Sequence, residues 1–326
     1  MYLIIVICSL RIFKKGGAMQ EFDPRLFENL TDFDEPIKAA IIAVLKAGST
    51  IKKPASHDTT IKYDKGYEHA ATTTKVDLEI QKQIIADLKH FNGVRFITEE
   101  KINDYQVSLI QDDNLASISE KGLIYGIDPI DGTAQFKDKL WEWSVSVGIM
   151  IDGIHSGGII YAPEVRGGMF VAGEKNKGVF LAERNCTSIE QARISQTKIN
   201  EGVILLGVDF VWLPKFDQFI HKVAESALCT KSVGSCALGL ASVAAGKSLA
   251  LIQPHQKSHD WFAGYPLVEE AGGKVQFYHY RDSHIIPMEK PDLLSYSPSK
   301  PNAAFIAGSP DIVDKLFKLL IENYGG

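Results

Sequence analysis

Apolar positions recur along the chain with two different periods, and the switches between them mark out its elements. From Glu35 to Lys53, Ile37, Ile41, Val44 and Leu45 fall three and four residues apart, the spacing of a helix with one buried face. The polar stretch from Lys52 to Thr73 has few apolar residues and reads as a mobile loop. Helical spacing returns near Thr74-Lys75-Val76-Asp77, with Ile80, Ile84, Ile85 and Leu88 on one side. Two short apolar runs, Val94 to Thr98 and Gly122 to Ile127, then read as buried strands. Residues 143–161 alternate well enough for a pair of strands with Asp152-Gly153 as the hairpin turn. A second hairpin spans Gly168 to Ala172 and Gly178 to Leu181, and Val203 to Val208 is a further core strand. Helical patterns follow at Pro214–Leu228 and Cys236–Ser248. Another opens at Ser258 and stops at Ala271-Gly272-Gly273, a good C-terminal signal. The last helix covers Pro310–Asn323, with Ser309 as its cap and proline at its first position. Strands and helices mixed in this way predict a layered α/β (α+β) fold.

Composition narrows the classes. The chain has 326 residues and 45% hydrophobic content, enough for a real core in one large or two modest domains. Its net charge of −5 comes from mixed signs without a basic stripe, which argues against a nucleic acid polymer as partner. Cys8, Cys186, Cys229 and Cys236 show no C-x-x-C spacing and fit free thiols in a reducing, cytoplasmic setting. The apolar run Tyr2 to Leu10 is too short to span a membrane and lacks a basic flank, so no stable membrane insertion is expected. Lys14-Lys15-Gly16-Gly17 can be encoded by a purine-rich ribosome-binding sequence just ahead of Met19. On that reading Met19 is the start and residues 1–18 are a translated leader; the alternative is a weak membrane anchor.

The candidate chemistry gathers where apolar runs end. Asp128-Pro129-Ile130-Asp131-Gly132-Thr133 closes the run that begins at Gly122. Pro129 fixes its own φ and biases Asp128 toward an extended shape, so the two carboxylates sit on a stiff bend. They repel each other unless something positive lies between them. Oxygen donors without cysteine favour a hard cation such as Mg²⁺. Taken alone, the pair is explained as well by an acidic surface turn. Glu99-Glu100 at a strand end and Asp260 in a helix start are further acids at positions where loops of layered α/β proteins converge. Asp77, by itself, is a first-turn acid favoured by the helix dipole.

Thr98-Glu99-Glu100, Asp128-Pro129-Ile130-Asp131-Gly132-Thr133 and Asp260-Trp261-Phe262-Ala263-Gly264, in this order, resemble the signature blocks of the inositol monophosphatase family. These are Mg²⁺-dependent, lithium-sensitive phosphomonoesterases that include bisphosphate nucleotidases and a class of fructose-1,6-bisphosphatases. The likeness runs from the first long helix to the C-terminus, and it implies an αβαβα sandwich. On this resemblance the N-terminal part, 19–190, carries most metal ligands, and 191–326 carries the last metal aspartate and the substrate pocket. Asp128 would bridge two ions, with Glu99 and the carbonyl of Ile130 completing one site and Asp131 and Asp260 the other. A third, loosely held ion is implied through Glu99 and waters. Thr133 and Asp77 would hold the attacking water, and Glu100 would support the shell. The N–H groups of Gly132 and Thr133, at a helix start, would cradle the phosphate, and Gly234-Ser235-Cys236 would line the pocket through backbone groups. Inositol-specific members carry a glutamate seven residues before the last metal aspartate; Gln253 stands there and loses the charge-assisted contact to a ring hydroxyl. Gln135 stands where asparagine is common. The implied partner is a small phosphorylated substrate, and the implied assembly a homodimer.

Other readings carry less. The spacing Asp-x-x-Asp-x-Thr is one residue too long for the aspartyl-phosphate motif of haloacid dehalogenases. Gly173 to Gly178 and Ala241 to Ser248 are near misses for a phosphate loop, the first between strands and the second within a helix pattern. His255 and His259 are four apart, but Pro254 and the loop-like stretch around it favour solvated or hydrogen-bonded histidines over a metal pair. A phosphate-binding protein without turnover remains the non-enzymatic alternative.

Overall fold

The computed structural model describes residue 30 and residues 32–51, 59–63, 70–100, 108–109, 121–183, 189–207, 215–281, 284–289, 291 and 303–324. Residues 1–18, Met19, Cys8 and Cys186 lie outside them. Helix α1 (Glu35–Thr50) buries the anticipated stripe of Ile37, Ile41, Val44 and Leu45. The stretch expected to be a loop instead contains a hairpin. Strands β1 (Thr59–Tyr63) and β2 (Ala70–Thr74) pair antiparallel with Thr59 opposite Thr74. Their threonines favour extended backbone without adding the apolar pattern by which strands are recognised. Helix α2 (Lys75–Leu88) follows β2 directly.

The first sheet is built from β3 (Arg95–Thr98), β4 (Ser108–Leu109) and β5 (Leu123–Asp131). After the short helix α3 (Thr133–Lys137) it continues with β6 (Ser144–Ile151), β7 (Ile154–Ala162), β8 (Met169–Glu174), β9 (Gly178–Glu183) and β10 (Glu190–Ala192). Its order is β10-β9-β8-β7-β6-β5-β3-β4; β3 runs parallel to β5, and β5 to β10 form an antiparallel meander. Both anticipated hairpins are present, including the turn at Asp152-Gly153. The link from Gly173 to Gly178 is a turn between paired strands, not a phosphate loop.

The second sheet starts at β11 (Val203–Gly207). It is followed by α4 (Phe216–Ser226), β12 (Cys229–Val233), α5 (Cys236–Ala244), β13 (Ala250–Gln256), α6 (Ser258–Phe262) and α7 (Gly264–Glu270). Strands β14 (Lys274–Arg281), β15 (His284–Met288) and β16 (Ala303–Gly308) precede the last helix, α8 (Pro310–Tyr324). The sheet order is β12-β11-β13-β16-β14-β15. Helices α1 and α2 cover the outer face of the first sheet, α5 to α7 fill the space between the sheets, and α4 and α8 cover the second sheet's outer face. This is the five-layer αβαβα sandwich. No helix among the described residues is long and apolar enough to cross a membrane.

Two differences from the expected pattern have local causes. The stretch around Pro254 is a strand rather than a loop. Pro254 sits in β13 where the ladder to β16 shifts between Gln253 and Gln256, and a bulge tolerates the missing N–H. The helix opening at Ser258 is interrupted at Ala263, because Pro266 has no N–H for the carbonyl of Phe262.

That interruption rests on a row of glycines. Gly126, Gly148, Gly158 and Gly173 lie side by side across β5 to β8. A Cβ at Gly148 would come 2.4 Å from the carbonyl oxygen of Phe262, and one at Gly158 2.0 Å from that of Ala263. Only bare backbone lets α6 and α7 settle so closely on the sheet. Asp260, two residues before Phe262, is thereby brought over the end of β5.

Candidate functional site

The end of β5 is the floor of the site. Its ladder with β6 shifts between Asp128 and Asp131, so the chain bulges where the two buried aspartates stand. Asp128 Oδ1 accepts the Ile130 N–H at 3.1 Å, a local turn that Pro129 stiffens. Gly132 then takes φ +90°, and a Cβ there would lie 2.9 Å from the Glu142 carbonyl oxygen. This left-handed residue turns the strand into α3. The Thr133 hydroxyl is 2.9 Å from the Ile130 carbonyl oxygen and 3.2 Å from Asp77 Oδ1, so its one proton is shared between them.

Three neighbouring elements tie down the remaining acids. Asp131 accepts the Ser235 hydroxyl at 2.8 Å, the Cys236 N–H at 3.2 Å and the Ala237 N–H. It thus satisfies amide groups that the start of α5 leaves open. Ser235 Oγ also accepts the Leu238 N–H as the helix cap. Glu100 is held through its backbone, its N–H donating to Gln81 Oε1 at 2.9 Å and its carbonyl accepting from Gln81 Nε2 at 2.7 Å. Gln81 is one helical turn beyond Asp77, so α2 fixes Asp77 and the glutamate pair together. Asp260 Oδ2 accepts the Lys257 N–H at 2.9 Å, and Oδ1 lies 3.3 Å from His259 Nε2.

Ligand atoms of three overlapping groups converge: Asp77 with Glu99 and Glu100, Glu99 with Asp128 and His259, and Asp128 with Asp131 and Asp260. In each group they lie within 4.8 Å of one another. Glu99 links the first two groups and Asp128 the last two. Burial, followed by the nearby charges of Asp77 and Glu100, holds the Glu99 carboxyl well above the usual range, and Lys257 draws it part of the way back. Burial and the charge of Glu99 likewise raise Asp128. Asp131 is pushed up to about 7 by burial and by Asp260, against the three donors that favour its charged form. Glu99 Oε2 is buried without a hydrogen-bond partner among the described residues. Hard oxygen donors at this spacing, with an orphaned carboxylate oxygen among them, fit a bound divalent cation, which would offset the repulsion.

Every acid singled out in the sequence, together with Ile130, Gly132 and Thr133, is therefore in one place. Gly234, Ser235 and Cys236 adjoin it, with Ser235 and Cys236 donating to Asp131. The Gln135 carboxamide lies against the Gly132 and Gly234 carbonyls, and with its nitrogen turned toward them it donates to both at 3.3 Å. Gln253 is buried on β13, with its carboxamide packed on Gly207 and its Oε1 lacking a hydrogen-bond partner among the described residues. Sequence reasoning missed Gln81, although a glutamine on the apolar stripe of α2 was a visible signal. It read His259 as solvated or hydrogen-bonded; it is buried among the acids with Nε2 3.3 Å from Asp260 Oδ1, while His255 is only partly buried.

A sequence profile of the inositol monophosphatase family matches residues 32–307. The chain is similar to the inositol-1-monophosphatase of Bacillus subtilis, 29% identical over 250 residues that make up 75% of this chain and 85% of the relative. It is also similar to the fructose-1,6-bisphosphatase/inositol-1-monophosphatase of Thermotoga maritima, at 26% identity over 65% of this chain and 73% of the relative. Among solved structures, the extragenic suppressor protein suhB of Bartonella henselae shares the fold, with a TM-score of 0.68 and 23% identity, covering 88% of this chain and 98% of the other.

Proposed function

Since the chain belongs to the inositol monophosphatase family, a family of phosphoric monoester hydrolases, we propose that it hydrolyses the phosphate ester of a small polyol or sugar. Inositol 1-phosphate is the first candidate, and two Mg²⁺ ions are the cofactor. The observation that carries this reading is the placement of Asp128, whose carboxyl belongs both to the group with Glu99 and to the group with Asp131 and Asp260. A carboxylate has two oxygens and can serve both sides.

Glu99 and the Ile130 carbonyl would complete one ion's site, and Asp131 and Asp260 the other's. Bound there, the ions would supply an activated water and the positive charge that a leaving oxygen needs. The protein's own groups do the positioning. Asp77 and the Thr133 hydroxyl, hydrogen-bonded to each other at 3.2 Å, would together orient the attacking water from one side. Glu100, locked by Gln81, keeps the Asp77 side of the site from relaxing outward. The N–H groups of Gly132 and Thr133 would receive the phosphate, and the segment from Gly234 to Cys236 would border it. Lithium inhibition, a homodimer and a cytoplasmic location belong to the same reading.

A second reading is favoured by Gln253. An amide in place of a carboxylate weakens a contact to inositol hydroxyls, which leaves room for a sugar bisphosphate or a 3′,5′-bisphosphate nucleotide. The dual name of the Thermotoga relative supports that breadth. The test is phosphate release with Mg²⁺, with and without Li⁺, from inositol 1-phosphate, fructose 1,6-bisphosphate and adenosine 3′,5′-bisphosphate. One preferred substrate with Li⁺ inhibition is the expected result. No release from any of them by metal-loaded protein would overturn the proposal in favour of a binding-only role.

A further inference from the structure

The acidic cluster contains one side chain that is not an oxygen donor. His259 is 1% exposed, and its ligand atom lies within 4.8 Å of those of Glu99 and Asp128. It occupies α6 immediately before Asp260, and the close seating of that helix on the glycine row fixes where the imidazole sits. Nε2 is 3.3 Å from Asp260 Oδ1, while Asp260 Oδ2 is already engaged by the Lys257 N–H.

We propose that His259 is a nitrogen ligand of the ion held by Glu99 and Asp128, so that this half of the site takes a first-row transition ion such as Mn²⁺ or Zn²⁺ in preference to Mg²⁺. Imidazole binds these ions well, and Mg²⁺ strongly prefers oxygen. The other half, made by Asp128, Asp131 and Asp260, is all oxygen and keeps the hard ion. The two halves of one centre thus differ in metal preference. This inference rests on the two-ion reading above and changes the identity of one of its two Mg²⁺ ions.

The full-length protein loaded with Mn²⁺ and examined by pulsed electron paramagnetic resonance tests it. Directly bound imidazole should give a ¹⁴N coupling that converts to a ¹⁵N pattern when histidine is isotopically labelled. His259→Gln retains an N–H donor for Asp260 but removes the imidazole. In that variant the coupling should vanish and Zn²⁺ affinity should fall about 10–100-fold, with Mg²⁺ affinity little changed. Mn²⁺ bound without nitrogen coupling, or coupling that survives in H259Q, overturns the assignment while leaving the two-ion reading standing. If no divalent ion binds, both fall. The wild-type labelling experiment decides the matter even if H259Q fails to fold.

Discussion

Asp131 is held by three donors from the start of α5, Glu100 by both ends of the Gln81 amide, and Asp260 by the Lys257 N–H. Residues outside that cluster are held differently. Gln253 keeps an unpartnered Oε1, and Trp141, close in sequence to the Glu142 carbonyl that abuts Gly132, is 47% exposed with Lys231 Nζ 4.6 Å from its ring centroid. Lys231 is in turn paired with Glu142 at 2.6 Å. The three acids are fixed by hydrogen bonds, whereas Gln253 keeps an unused acceptor. On the proposed function, that acceptor is what remains to distinguish one substrate from another. Each half of that contrast can be attacked separately.

The largest effect should come from the acid side. Asp128→Asn retains an oxygen for the Ile130 N–H but removes the charge shared by two groups of ligands, and turnover should fall at least about a thousandfold. The fold should persist, because one of several mutually repelling buried charges is gone. Circular dichroism and thermal unfolding report the fold, and phosphate release reports the loss. Near-normal activity would end the two-ion reading. Gly132→Ala should be the next most severe. The new Cβ meets the Glu142 carbonyl at 2.9 Å, at a φ of +90° that L-residues resist. A cost of about 1–3 kcal/mol in stability is expected, with activity about a hundredfold lower from the displaced phosphate cradle. Unchanged kinetics would show that the geometry of this turn does not matter to catalysis.

How much of this was legible in the sequence also differs between the regions. The stripes of α1 and α2, the meander from Ser144 to Glu183 and the acids at strand ends are local patterns, and each could be read from a few consecutive residues. The strands β12 and β14 to β16 could not be read so easily. Cys229 to Val233 and His284 to Met288 are largely exposed and lack regular alternation, so their identity as strands depends on what they pair with. The same holds for β1 and β2, whose polar threonines resemble a loop. His259 was beyond local reasoning altogether. Its burial follows from glycines at positions 126, 148, 158 and 173 that align only once four strands are in register.

A pH experiment sharpens the acid side further. In the protein without added metal, Asp131 titrates near 7 when folded, against an ordinary value of 3.8. Between about pH 4 and pH 7 the folded chain therefore holds a proton that the unfolded chain has lost, and this group's contribution to stability falls as pH rises through that window. Glu99 and Asp128, raised for the same reasons, act in the same direction. The midpoint of thermal unfolding of chelator-treated protein should fall from pH 5 to pH 8, and divalent cation should restore most at the higher pH. Asp131→Asn should flatten the dependence. A midpoint that rises steadily with pH in both proteins would mean that the acids are not as crowded as their geometry indicates.

The smallest effect, and the one that bears on substrate choice, is expected at Gln253. Replacing it with glutamate restores a charged acceptor at the position where inositol-specific relatives are expected to carry one. A charge-assisted hydrogen bond exceeds a neutral one by about 1 kcal/mol. The ratio of kcat/KM for inositol 1-phosphate over fructose 1,6-bisphosphate should therefore rise about fivefold. Part of that gain is offset, because residue 253 is 2% exposed and a carboxylate there must be desolvated beside Gly207. Some stability should be lost in the free enzyme and recovered with substrate bound, since the polyol hydroxyls would then solvate the charge. A lower stability with an unchanged ratio would assign Gln253 to the packing of β13 against β11 rather than to recognition. Substrate choice would then have to lie with other side chains.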